Sequence, residues 1–206
     1  EISECLVGSE MCIRDRNFLS KFEIAHNYYV QCYNNQVKES PRHQANVKMA
    51  RLYISHFIQV LNLSVLRSEI KSVHKKLYDL PVDNATVPDL ASEAAMVDWG
   101  KRIIEGERRR TSQGGVPIYN PTIAKVKVHY DIFVDSYEKQ RALQALTNRS
   151  LEELSSMRAR ADELILDIWN QVEEKFQNVF PNEARLDKCR DYGLIYYYRT
   201  GEKQSE

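Results

Sequence analysis

The chain is poor in helix breakers: seven glycines and six prolines in 206 residues are too few for a collagen-like, low-complexity or turn-dominated protein. It lacks an excess of charge of either sign. Its 29 basic residues balance 29 acidic ones, so no broad electrostatic footprint is expected for nucleic acid or an anionic membrane, and neither is expected as a partner. It also lacks a long apolar run. The best candidate, Leu52 to Leu66, is broken by Ser55, His56, Gln59, Asn62 and Ser64 and falls short of the ~20 residues of a membrane span. What is present is 43% apolar content, enough to build a core at the length of one domain.

Residues 5 to 16, Cys-Leu-Val-Gly-Ser-Glu-Met-Cys-Ile-Arg-Asp-Arg, resemble a translated transposase-type sequencing adapter. One reading frame of such an adapter gives Leu6 through Asp15, and its leftover bases begin the codon of Arg16. On this resemblance residues 1–16 are an artefact outside the fold, and the natural chain is first visible near Asn17. Without Arg14 and Arg16, and without Glu1, Glu4, Glu10 and Asp15, 27 basic residues face 25 acidic ones, and the balance stands. Cys5 and Cys12 leave with the segment. Cys32 and Cys189 alone support neither a disulfide framework nor a paired-cysteine metal knuckle, so a cytoplasmic location is expected. A signal peptide would have occupied the segment that the adapter replaces.

Apolar residues at alternating three- and four-residue steps dominate the rest, the signature of helices with one buried stripe. Phe18, Phe22, Ala25, Tyr29 and Cys32 predict a helix over residues 17–38. Ser40 as cap and Pro41 as first residue predict the next. Its stripe is read as Met49, Leu52, His56, Gln59, Leu63, Leu66, Ile70, Val73 and Leu77, a helix over residues 41–78 reaching about 55 Å.

A loop from Asp79 to Val87 leads to a capping box of Thr86 and Asp89. The helix it opens ends near Arg110, with Arg108, Arg109 and Arg110 at the negative end of its dipole. Thr111 to Asn120 form a linker whose Gly114 and Gly115 permit positive φ, and Asn120-Pro121 restart a helix bearing Ile123, Val126, Tyr130, Phe133 and Tyr137. A turn is expected at residues 147–150, with Ser150 and Glu153 as a second capping box. Leu154, Met157, Ala161, Leu164, Ile168, Val172, Phe176 and Val179 continue the stripe, and a short helix follows over residues 182–192 and stops at Gly193.

Few residues combine into chemistry. Glu23 and His26 have the Glu-x-x-His spacing of ferritin-like di-metal bundles, but no second copy occurs, so a boundary histidine is the expected reading and no cofactor is expected. Arg51-Leu-Tyr-Ile-Ser-His56 resembles the Arg-x4-His pattern of helical ribonucleases and nucleotide-binding domains of the HEPN type. That resemblance implies Arg51 on a phosphate and His56 in proton transfer, although Leu52 stands where the family usually has a polar residue. The preferred reading makes His56 and Gln59 a buried polar pair that fixes register. His43, His74 and His129 have no partner at ligand spacing.

Of the twelve tyrosines, Tyr196, Tyr197 and Tyr198 cannot all face inward in an extended arm, because neighbours alternate sides. They are therefore candidates for a docking surface. The Gly-Gly-Val-Pro-Ile-Tyr-Asn-Pro linker and the stretch from Trp169 to Tyr198 resemble helical-bundle proteins encoded by Bacteroidota, and that resemblance implies no activity.

The expectation is thus an all-α antiparallel bundle of four to five main helices over residues 17–193, with an extended arm and tail over residues 194–206. Its expected role is non-enzymatic, binding an unidentified protein partner or a second copy of itself. An HEPN-like ribonuclease using Arg51 and His56 is the alternative, and a metal-binding bundle comes third.

Overall fold

The computed structural model describes the backbone of residues 9–197 and the side chains of residues 16–197. Tyr198 and the polar end of the chain lie outside the described residues, as do residues 1–8. The fold is all-α. Helix α1 spans Ser9–Leu66, a 3-10 helix spans Ser72–Tyr78, and α2 spans Glu93–Ser112. Helices α3 (Ile123–Ser156), α4 (Arg158–Phe176) and α5 (Asn182–Asp191) complete it. Two compact units carry these elements. The central unit runs from Gln31 to Asn148, and the terminal unit joins residues up to Val30 with residues from Arg149 onward. No helix among the described residues is long and apolar enough to cross a membrane.

Helix α1 corrects the expected break at Ser40, because it runs through Pro41 without interruption. An interior proline removes one hydrogen bond and crowds the preceding turn, at a cost of about 3 kcal/mol. Ties on both sides of it offset that cost. The Glu39 carboxylate meets Lys139 at 2.8 Å, and the buried His43 ring lies 3.1 Å from both Ser136 and Glu93.

The expected stripe beyond Pro41 is also corrected. Met49, Leu52, His56, Gln59, Leu63 and Leu66 are exposed, and the buried face is His43, Val47, Ala50, Ile54, Phe57, Ile58 and Leu61. The reason is chemical: this second stripe places Ile54, Phe57 and Ile58 where the first would have buried His56 and Gln59. Phe18, Phe22, Ala25 and Tyr29 are each half-buried and Cys32 is buried, in the expected register.

The helix stops at Leu66, well before the expected residue 78. Ser68 is left-handed, at φ +62. Its N–H bonds the Val65 carbonyl while the Glu69 N–H bonds that of Ser64, the paired closure that ends many helices. Asp79, at φ +56, closes the 3-10 helix in the same way.

The loop after Asp79 is held by side chains from the elements around it. Asn62 donates to the Ala85 carbonyl at 2.9 Å, and the buried Lys75 ammonium donates to that of Asn84. Asn84 and Asp89 accept from the Thr86 and Ala91 amides, so both form local turns and the expected Thr86 capping box is absent. Ser92 caps α2 instead, accepting from the Ala95 amide at 3.1 Å. On α2, Met96, Gly100, Ile103 and Gly106 face the core, while Trp99 is half-buried with the Arg102 guanidinium 5.0 Å above its ring.

Helix α3 starts after Thr122, whose hydroxyl accepts from the Lys125 amide at 3.3 Å; the cap is therefore Thr122, just past the expected restart at Asn120-Pro121. Val126 and Phe133 are buried, and Ile123, Tyr130 and Tyr137 pack against the same core. No turn occurs at residues 147–150. Ser150 lies buried inside the helix, and a single residue, Met157, separates α3 from α4 with near-helical dihedrals (φ −81, ψ −12). In the terminal unit, Val172, Cys189 and Leu194 form a small core flanked by Phe176 and Tyr196. Gly193, at φ +87, ends α5 as expected.

Candidate functional site

The residues singled out from the sequence are mostly committed elsewhere or dispersed. The Arg51 guanidinium donates to the Leu90 carbonyl from Nε at 3.0 Å and to that of Ala91 from Nη2 at 3.1 Å, so it pins the loop before α2. His56 is exposed, and five residues of helix turn it about 140° from Arg51. Gln59 is exposed as well, which corrects the buried pair expected with His56. Glu23 and His26 are both exposed, and no three His, Cys, Asp or Glu residues converge as metal ligands among the described residues. Tyr196 is half-buried and its hydroxyl donates to Glu173 at 2.9 Å. Burial, with Cys189 and Glu173 alongside, pushes that phenol upward from its ordinary value. Tyr197 is 84% exposed.

One fully buried polar network in the central unit was not revealed by the sequence. Tyr78, Glu107 and Arg110 are all buried. Arg110 meets Glu107 in a two-point ion pair, Nε to Oε2 at 2.9 Å and Nη2 to Oε1 at 2.8 Å. Its Nε also donates to the Tyr78 hydroxyl at 2.8 Å, and that hydroxyl donates to Glu107. The Val116 carbonyl accepts from Arg110 Nη2 at 2.8 Å, and Glu107 accepts from the Ile118 amide at 3.1 Å. The network therefore joins the 3-10 helix, α2 and the Gly-Gly linker. Burial first, and then the Glu107 carboxylate, push the Tyr78 phenol well above its ordinary value. Arg110 is thus an internal strut as well as a basic residue of the last turn of α2, where Arg109 also lies. The only signal in the sequence was the three-residue step from Glu107 to Arg110, beside Gly106 and Gly115.

A second cluster joins α1, α2 and α3. His43 Nε2 faces Glu93 and its Nδ1 faces Ser136, both at 3.1 Å. Glu, His and Ser in a row suggest nucleophilic hydrolysis. However, the Ser136 hydroxyl also lies 2.9 Å from the Phe133 carbonyl, and the amides around it belong to α3, where helical bonding uses them and leaves no oxyanion donors. The arrangement works as a polar clip across three helices. Ser136 is 93 residues from His43, so nothing in the sequence linked them.

The terminal unit presents a different feature. Of the nineteen residues of α4 only Val172 is buried, and Ile165, Leu166, Ile168 and Trp169 are each more than 40% exposed. Comparison with protein-family models, curated proteins and solved structures gave no match.

Proposed function

We propose that the chain is a non-enzymatic protein-interaction module whose docking face is α4. The observation that supports this reading is the spacing of its exposed apolar residues. Ile165, Ile168, Trp169 and Val172 follow steps of three, one and three, a single helical stripe of which only Val172 is covered. Isolated exposed apolar residues are ordinary, but a contiguous stripe with a tryptophan at its centre is characteristic of binding surfaces. Such a stripe suits a second amphipathic helix, read through anchors one turn apart. The exposed Phe180, Ile195 and Tyr197 add apolar surface in the same unit.

The test is light scattering of the purified chain beside an Ile165→Glu, Trp169→Glu variant, with quantitative mass spectrometry of the proteins that copurify with each. Either self-association or a specific partner should be present in the parent and lost in the variant. A monomeric parent with the same copurifying proteins as the variant would leave the reading without support.

A further inference from the structure

The linker that closes α2 leaves a cleft of about 770 Å³ in the central unit, within the size range of sites for small organic ligands. Its walls include Ile70, Val116, Pro117, Ile118 and Tyr119, and Lys71 and Arg110 bring cationic groups to it. Arg110 Nε and Nη2 are fully occupied by Tyr78, Glu107 and Val116, whereas Nη1 takes no part in those bonds.

Gly115 lies close against this guanidinium. The left-handed turn after α2 is made by Gly114, at φ +87, and Gly115 is not left-handed. A Cβ at Gly115 would instead stand 2.7 Å from Arg110 Nη1. It would also stand 2.9 Å from the Arg110 carbonyl, which accepts from the Gly115 amide at 3.1 Å, so glycine is needed there for the close approach of the linker to the end of α2. The charge balance narrows the ligand. Arg110 is neutralised by Glu107 and Arg67 by Glu69, while Lys71 is exposed and forms no ion pair among the described residues. One lysine outside any ion pair, the half-buried His74, a guanidinium edge and apolar walls fit a monoanion with an apolar body.

We propose that this cleft binds a small aromatic or branched aliphatic carboxylate, its carboxylate between Lys71 and Arg110 Nη1 and its body against Val116, Pro117 and Ile118. The inference is independent of the α4 interface. A nucleotide or other polyphosphate suits the cleft poorly, since one lysine and one histidine outside ion pairs would face several negative charges.

Calorimetric titration of the full chain with phenylacetate, phenylacetamide and inorganic phosphate tests it. Phenylacetate should bind saturably, and the other two at least about tenfold more weakly, a difference equivalent to one good charged contact. Lys71→Met should weaken phenylacetate about fivefold without changing the melting temperature, since the side chain is exposed and a screened ion contact is of that size. Equal binding of phenylacetamide or of phosphate, no saturable binding of phenylacetate at millimolar concentration, or an unaltered affinity in Lys71→Met would each overturn the proposal.

Discussion

At the scale of single residues, the glycines of α2 and its linker divide into two physical kinds. A Cβ at Gly106 would lie 2.4 Å from the Tyr78 ring and 2.8 Å from the Leu77 carbonyl, whereas one at Gly114 would meet nothing within 4 Å. Gly106→Ala therefore forces apart a ring that Glu107 and Arg110 hold in place, and should cost on the order of 1–3 kcal/mol as overpacking does. Gly114→Ala carries only the strain of a left-handed residue, about 1 kcal/mol. Urea denaturation of the two variants would reveal this order, and equal losses would contradict it.

The buried network supplies a second test at this scale. Glu107→Gln leaves Arg110 buried beside a neutral amide and should cost about 3–5 kcal/mol, the usual result of breaking one side of a buried pair. Tyr78 has a pH signature. Its phenol has an ordinary value of 10.0 and a higher one in the folded chain, so its contribution to stability is complete below pH 10 and disappears as the pH rises from there toward the folded-state value. Denaturation at pH 8 and pH 11 should therefore show a larger loss for the parent than for Tyr78→Phe. The same loss in both would assign the alkaline sensitivity to other groups.

At the scale of elements, the helix ends explain which parts of the fold were legible. Among the described residues four ends close through a left-handed residue, at Ser68, Asp79, Gly114 and Gly193. The two that use glycine were read from the sequence. The two that use serine and aspartate were not, and so the expected second helix ran on to residue 78. Pro41 had the opposite effect, since it signals a helix start that the ties at Glu39 and His43 override. The stripes of the first and fourth expected helices were legible because each had one apolar face. The second had two competing faces, and the choice between them depended on burying Ile54 and Phe57 instead of His56 and Gln59. The Tyr78, Glu107 and Arg110 network was illegible for a different reason: it draws on three elements that only folding brings together. A consequence of the non-glycine closures is that Ser68→Gly should stabilise the chain. Relief of left-handed strain, about 1–2 kcal/mol, exceeds the added freedom of glycine in the unfolded chain, about 0.5–1 kcal/mol, and a lower urea midpoint would show the turn to be held by something else.

At the scale of the whole molecule, the two units are built with unequal cores. Among the described residues, fifteen buried apolar residues form one cluster in the central unit, against the three of Val172, Cys189 and Leu194 in the terminal unit. Local opening follows buried apolar contact, so amide exchange should be slowest in α2 and the Val47 to Leu61 stretch of α1, and faster in α4 and α5. Uniform protection would indicate that the chain opens as one cooperative body. The chain also carries its own optical reporters for this question. It has two tryptophans: Trp99, shielded under Arg102 in the central unit, and Trp169, open to solvent in the terminal one. Replacing either with phenylalanine leaves a chain whose tryptophan emission comes from one unit alone, so the melting of each half and the covering of α4 by a partner become separate colour changes in an otherwise label-free protein.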